Sequence, residues 1–153
     1  LALSTPAGDH CFIRFNTDSA TSRVLRRFRA GFFASSLVTA GGMLCLAHQP
    51  EQLREAVLDH LPADNPVDLR AQLELIRQND YATFQWAGER EGSIAVPLRW
   101  RGTVIAALIL RYMIHVSPQI EPKLELMREL ARDIEAGLVA AEAIRIAQAP
   151  AEP

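Results

Sequence analysis

The stretch SIAVPLRWRGTVIAALIL, residues 93–110, decides the fold of this chain. It contains two runs of β-favouring residues, 93–99 and 103–113, on either side of a Trp-Arg-Gly segment at 100–102. Apolar runs of strand length that flank a glycine-containing turn predict a β-hairpin. We expect this hairpin to form the centre of an antiparallel sheet.

The register of the hairpin depends on the length of its loop. A three-residue loop at 100–102 places Ser93, Ile109 and Arg111 on one face, because side chains alternate along a strand. A two-residue loop at 101–102 places Ser93 on the opposite face. The sequence leaves both registers open, and only the three-residue loop is expected to bring the three side chains into a common site.

Other strands are predicted on both sides of this hairpin in the sequence. Residues 1–5 and 11–16 favour β structure, and the turn residues proline, glycine and aspartate lie between them, which predicts a second hairpin. Residues 81–86 alternate as a strand does. An arginine-rich run at 23–28 is interpreted as an edge strand.

Three helices are predicted between the two groups of strands. Residues 36–48 form an apolar, proline-free segment, and residues 50–60 begin with a proline and carry leucine and valine at four-residue spacing. Asn65 is placed as the cap of a third helix with Pro66 in its first turn, and Asp80 at its end.

A long amphipathic helix is predicted at the end of the chain. Ser117 and Pro118 are placed as its cap and first residue, and apolar residues then recur at steps of three and four until about Ile146. Strands, three helices, strands and a terminal helix are typical of an α+β fold with an antiparallel sheet flanked by helices.

Composition excludes several classes of protein. The chain has 153 residues, the size of one domain, and a formal net charge of -2, whereas a stand-alone nucleic-acid binder carries a basic excess. No apolar run reaches the roughly 18 residues of a membrane span. Cys11 and Cys45 are too few for a disulfide framework, so we expect free thiols and a cytoplasmic location. A strand-like start at Leu1 predicts that the chain is a fragment.

The residue patterns of metal, phosphate and nucleophile chemistry are missing from the sequence. Gly41 and Gly42 lack the spacing and the lysine of a phosphate-binding loop. The four histidines are scattered, and neither cysteine has a histidine at metal-ligand spacing. Ser93 lies in GSIAV and not in a nucleophile elbow. We therefore expect no catalytic residue, no metal and no cofactor.

Three segments resemble the signatures of one family, the IclR transcription regulators of bacteria. TAGGMLCLA at 39–47 is similar to T-A-x-G-K-A-L-L-A, and LELIRQNDYA at 73–82 is similar to L-x-x-I-R-x-x-G-Y-A. SIAVPLRWRGTVIAALIL resembles the family's C-I-A-x-P-V…G-x-V-x-A-A-L-S-V hairpin. The resemblance covers residues 12–146, and within the family it is greatest to the MhpR-type activators of hydroxyphenylpropionate catabolism.

The resemblance implies a division of labour between two domains. Residues 1–147 would be the effector-binding domain, of GAF/profilin-like fold, followed by a frayed tail at 148–153. A winged helix-turn-helix that binds DNA would lie outside this chain. The family also implies a homodimer or homotetramer, a small organic acid as effector, and no contact with membranes.

The family's effector-contacting positions can be transferred one by one. They imply Ala40 and Gly41 at the helix entrance, Phe84 or Trp86 in the strand after the Y-A motif, and three residues of the hairpin. The hairpin positions are Ser93, Ile109 and Arg111. Family members that sense small acids have serines at the last two, which argues against a glyoxylate- or pyruvate-like effector here.

The side chains at these positions favour a different ligand. Phe84 and Trp86 offer flat apolar walls for an aromatic ring, and Arg111 offers two parallel donors to a carboxylate. An aromatic carboxylate satisfies both. Each residue also has a purely structural interpretation: core packing for the two aromatics, an edge charge for Arg111, and a backbone-bonded hydroxyl for Ser93.

Two other functions remain open at the level of sequence. Cys45 and His48 share a helix face and permit a small GAF-like redox enzyme. The domain also permits a pure oligomerisation module with a vestigial pocket. Thiol reactivity tests the first, and thermal shifts with aromatic acids test the second.

Overall fold

A computed structural model describes residues 1–17, 29–60 and 68–147 of the chain. In this part the strands are β1 (Ala2–Ala7), β2 (His10–Asn16), β3 (Phe33–Ser35), β4 (Ala82–Gln85), β5 (Glu91–Trp100) and β6 (Thr103–Met113). The helices are α1 (Ala40–Ala47), α2 (Glu51–Asp59), α3 (Leu69–Asn79) and α4 (Glu121–Ala147).

The strands form one antiparallel sheet in the order β3-β2-β1-β6-β5-β4. The β5–β6 hairpin lies near its centre, and the N-terminal hairpin joins it through the pairing of β1 with β6. Helices α1 and α3 pack together on one side, and α4 contacts β5 and β6. The predicted α+β fold with a flanked antiparallel sheet and a long terminal helix is confirmed.

Alternate residues of the central hairpin enter two different cores. Ala95, Ala107 and Ile109 belong to the core that contains α1 and α3. Ile94 and Leu108 belong to the core under α4. Both faces of β5 are therefore buried, which explains why its sequence is almost continuously apolar.

Helix α1 begins at Ala40, four residues later than the predicted start of the 36–48 segment. Thr39 has an extended backbone, and its hydroxyl accepts a hydrogen bond from the Gly42 N–H at 3.0 Å. The N–H groups of a first helical turn have no acceptor within the helix, and the Thr39 hydroxyl accepts a hydrogen bond from one of them. Helix α1 therefore starts directly after Thr39. A short edge strand, β3, lies in the segment before it; the predicted edge strand at 23–28 lies outside the described residues.

The starts of two other helices also differ from the prediction. Asp68 caps α3 by accepting from the Ala71 N–H at 3.1 Å, while the predicted cap at 65 and 66 lies outside the described residues. Helix α4 starts at Glu121, so the predicted cap at Ser117 is wrong. The N–H of Ser117 donates to the carbonyl of Met113, and its hydroxyl accepts from Lys123 Nζ at 2.7 Å, so Ser117 is engaged in other contacts.

The C-cap of α3 shows how an aspartate replaces the glycine of the resembled motif. Asp80 has a left-handed backbone, with φ of 61°, a conformation that favours glycine but that aspartate tolerates. Its carboxylate accepts from Arg99 at 2.6 Å and lies 3.3 Å from His48 Nε2. The side chain thus links α3 to β5 and to the residue after α1.

None of the helices in the described ranges is both long enough and apolar enough to cross a bilayer.

Candidate effector site

The β5–β6 hairpin has a two-residue loop and one β-bulge. Trp100 pairs with Thr103, so the loop consists of Arg101 and Gly102, whose φ angles of 51° and 81° suit a tight hairpin turn. The register then shifts by one residue between Leu98 and Arg99.

The bulged residue is Ile105, which has no partner between the Leu98–Ala106 and Arg99–Val104 pairs. It restores the alignment that the short loop would otherwise disturb. Ser93 therefore pairs directly with Arg111. The prediction that only a three-residue loop can bring these side chains into a common site is therefore wrong. A two-residue loop followed by a bulge has the same effect, because the bulge provides the additional residue.

A small enclosed cavity lies between this face of the hairpin and the first turn of α1. Six of the seven site residues expected from the sequence line it: Ala40, Gly41, Trp86, Ser93, Ile109 and Arg111. The other lining residues are Ala2, Ile13, Asn16, Thr39, Glu91 and Gly92. The cavity has a volume of about 20 Å³, which is enough for about one water molecule. A cavity that holds benzene measures roughly 150 Å³.

Glycine brings α1 close to the cavity-lining strand. A methyl group added to Gly41 would overlap Ile109 Cδ1 and would lie 2.8 Å from Ser4 Oγ. Gly41 therefore permits tight packing of the helix on the sheet. The N–H of Gly42 donates a hydrogen bond to the hydroxyl of Thr39.

Phe84 and Trp86 have different roles. Trp86 lines the cavity, whereas Phe84 packs against the core and touches Trp86 edge-on, with ring centroids 5.2 Å apart and ring planes at 71°. The Phe84 carbonyl accepts a hydrogen bond from Ser93 Oγ at 3.2 Å. Of the two alternatives for this strand, Trp86 is the cavity residue and Phe84 its support.

Arg111 is not an edge charge, because its side chain is only 9% exposed. Its Nη2 atom donates to Glu91 Oε2 at 3.0 Å, and the Glu91 side chain is 2% exposed. The sequence analysis did not identify Glu91 as a site residue. Its position two residues before Ser93 was the available signal, since both side chains then share a face.

Neither of the two thiols lines the cavity. Cys11 Sγ is 3.7 Å from the hydroxyl of Thr39, and both cysteines are buried. Burial raises the pKa of Cys45 to about 12. His48 is close to Asp80, and burial lowers its pKa. No group of three or more metal-ligating side chains occurs within the described residues.

Comparison with solved structures shows which proteins share this architecture. An IclR homolog from Microbacterium hydrocarbonoxydans, solved with 4-hydroxybenzoate, superposes with a TM-score of 0.80 at 27% identity. The match covers 91% of this chain and 60% of that one. The structural neighbours are IclR-family regulators. An IclR homolog from another Microbacterium matches with a TM-score of 0.76 at 26% identity, over 91% of this chain and 58% of that one.

A third match has the fold in common. The inducer-binding domain of the PobR transcription factor from Acinetobacter, a double mutant in complex with 3-hydroxybenzoic acid, superposes with a TM-score of 0.70 at 18% identity. The match covers 88% of this chain and 86% of that domain. No family model matches the sequence. This chain thus spans 60% of the length of the first IclR homolog.

The surroundings of Cys45 bear on the redox-enzyme alternative. Burial raises the pKa of its thiol to about 12, and the residue is 2% exposed. A nucleophilic cysteine needs a lowered pKa and access to solvent. Cys45 has neither, so its surroundings favour a structural role.

Proposed function

We propose that this chain is the effector-sensing domain of an IclR-type regulator, and that its effector is a small aromatic carboxylate. The observation that carries the proposal is the cavity itself, which brings Trp86 and Arg111 together with the first turn of α1. In the full protein, effector binding would control DNA binding through a winged helix-turn-helix. The MhpR-like subgroup is part of this proposal.

The chemistry of the cavity supports an aromatic acid. Trp86 and Ile109 offer apolar surface to a ring, and Arg111 is the cation able to bind a carboxylate through two parallel hydrogen bonds. Ser93 adds a hydroxyl to the same wall. Two of the matched structures contain hydroxybenzoates, which combine a ring with a carboxylate.

The size of the cavity implies that binding changes the conformation. Space for about one water does not admit an aromatic ring, so the wall must move when the effector enters. A sensor needs this property, because an effector shifts an equilibrium only by its difference in affinity for two states. The partly buried Trp86, which directly follows β4, is the wall residue that we expect to swing outward.

Thermal shift and calorimetry with 4-hydroxybenzoate, 3-hydroxybenzoate and benzoate test the proposal. Ligand at 100 times its Kd is expected to stabilise the domain by about 2.7 kcal/mol. Arg111→Ala is expected to weaken binding by about 2–5 kcal/mol. Arg101→Ala, in the exposed hairpin turn, is the matched control and should bind as the parent does. Equal affinity of Arg111→Ala and the parent would remove Arg111 from the site.

The same measurements address the oligomerisation alternative. If no acid in the panel raises the melting temperature, the pocket is vestigial and the domain acts through assembly alone. We expect a homodimer or homotetramer in either case, and light scattering after gel filtration measures it.

A further inference from the structure

Glu91 and Arg111 reach the cavity from neighbouring strands of the central hairpin. Ser93 pairs with Arg111, and Glu91 pairs with Met113, so Glu91 and Arg111 are diagonal neighbours on one face. The Glu91 carboxylate is 3.0 Å from the guanidinium, and both side chains are almost completely removed from solvent. The cation of the cavity thus already has a carboxylate beside it.

This arrangement imposes a condition on an anionic ligand. A second carboxylate that approached Arg111 while Glu91 stayed in place would bring two negative charges together in a buried site, where charges interact strongly. Such an approach is unfavourable unless Glu91 moves away. A neutral ligand meets no such conflict, since the ion pair remains intact when it binds.

We propose that Glu91 determines the ligand specificity of this site by occupying the place on Arg111 that the effector carboxylate takes. The proposal rests on the proposed function and adds its mechanism: binding exchanges the internal carboxylate for an external one. Glu91 is the first residue of β5 and follows a loop in which Gly88 has a φ of 76°.

The exchange leaves Arg111 with a carboxylate partner in both states. With the effector bound, the Glu91 carboxylate gives up its contact with Arg111. The backbone beside Glu91 is held at the end of β6, because the carbonyl of Arg90 accepts a hydrogen bond from the N–H of Ile114 at 2.9 Å. The exchange is therefore expected to move the Glu91 side chain rather than the strand.

The experiment compares an acid with its neutral amide on matched variants. Glu91→Gln removes the competing charge and keeps the shape, so calorimetry is expected to show at least tenfold tighter binding of 4-hydroxybenzoate. The affinity for 4-hydroxybenzamide is expected to stay within twofold. Glu129→Gln, on the exposed side of α4, makes the same change in net charge and should leave both affinities unchanged.

A second substitution at the same position, to the shorter aspartate, keeps the test decisive if Glu91→Gln does not fold. Glu91→Asp keeps the charge but reaches less far toward Arg111, and its affinity for the acid is expected to lie between those of the parent and Glu91→Gln. If the parent binds the acid and neither variant binds it more tightly, the exchange is wrong and the proposed function stands. If neither the parent nor the variants bind any aromatic acid, the proposed function fails and the exchange fails with it.

Discussion

Ser93 and Arg111 lie directly opposite each other across the β5–β6 hairpin. The two-residue loop alone would have separated them onto different faces. The bulge keeps Ile105 out of the pairing and brings them together, so the composition of the candidate site depends on where the hairpin places this unpaired residue.

The bulge predicts that Ile105 is dispensable for the register of the hairpin. The side chain is 40% exposed, so Ile105→Thr is expected to change the free energy of unfolding by less than about 0.5 kcal/mol. Deletion of Ile105 joins Val104 directly to Ala106 and leaves every other pair of the hairpin in place, so we expect the variant to fold cooperatively with Ser93 still opposite Arg111. Urea denaturation measures both. Loss of the cooperative transition on deletion would contradict the prediction.

The close contact between α1 and β6 predicts the effect of Gly41→Ala. The new methyl group meets Ile109 and Ser4, so we expect overpacking to destabilise the domain by about 1–3 kcal/mol. It also occupies the cavity wall and should weaken effector binding. Gly137→Ala is the matched control, since nothing lies within 4 Å of the added methyl on α4. There we expect a gain of about 0.5–1 kcal/mol.

The buried ion pair predicts non-additive effects on stability. Arg111→Met removes the guanidinium that lies 3.0 Å from the buried Glu91 carboxylate, and we expect a loss of about 3–5 kcal/mol. The double variant Glu91→Gln with Arg111→Met removes both charges and is expected to lose less than Arg111→Met alone. Chemical denaturation of the four proteins gives the coupling energy. A double variant no more stable than Arg111→Met would contradict the prediction.

The buried thiol of Cys45 predicts a pH dependence at alkaline pH. Burial raises its pKa from 9.0 to about 12, so the unfolded chain loses this proton before the folded chain does. Stability is then complete below pH 9 and is lost as the pH rises toward 12. Cys45→Ser and the parent should therefore differ less at pH 11 than at pH 7 in denaturation experiments.

The same burial predicts an inert thiol. In the native protein, Cys45 should react with Ellman's reagent only as fast as the domain unfolds. Rapid labelling at neutral pH without unfolding would instead support the alternative that the domain is a redox enzyme that uses Cys45.

The left-handed backbone of Asp80 predicts an order among three substitutions. Asp80→Asn keeps a residue that tolerates this conformation and loses only a partly exposed ion pair, so we expect a cost of about 0–1 kcal/mol. Asp80→Ala is expected to cost about 1–2 kcal/mol more, because alanine resists a left-handed backbone. Asp80→Gly should lie closer to asparagine than to alanine. Thermal denaturation ranks the three.

The sequence predicted the fold through patterns that each strand or helix carries by itself. The runs of β-favouring residues at 93–99 and 103–113 are local patterns, and so is the spacing of apolar residues in α3 and α4. Helix starts were less accurate, because capping depends on which hydroxyl is free: Thr39 is available to α1, whereas Ser117 is engaged by the turn after β6 and by Lys123.

Within the site, the residues missed or misjudged are those defined by pairing across the sheet. In the sequence, Glu91 resembles a polar loop residue, and its place in the site is apparent only from its contact with Arg111. Ser93 and Arg111 share a face of the hairpin because of a bulge, and no turn residue in the sequence predicts that bulge. Phe84 and Trp86, two residues apart, were separated only by the packing of Phe84 against the core.

The alternation of β5 and β6 has a consequence for how such a domain diversifies. Odd-numbered positions such as Ser93 and Arg111 face the cavity, while their even-numbered neighbours hold α4. Mutations can therefore explore new chemical preferences along one set of positions while the other set preserves the scaffold.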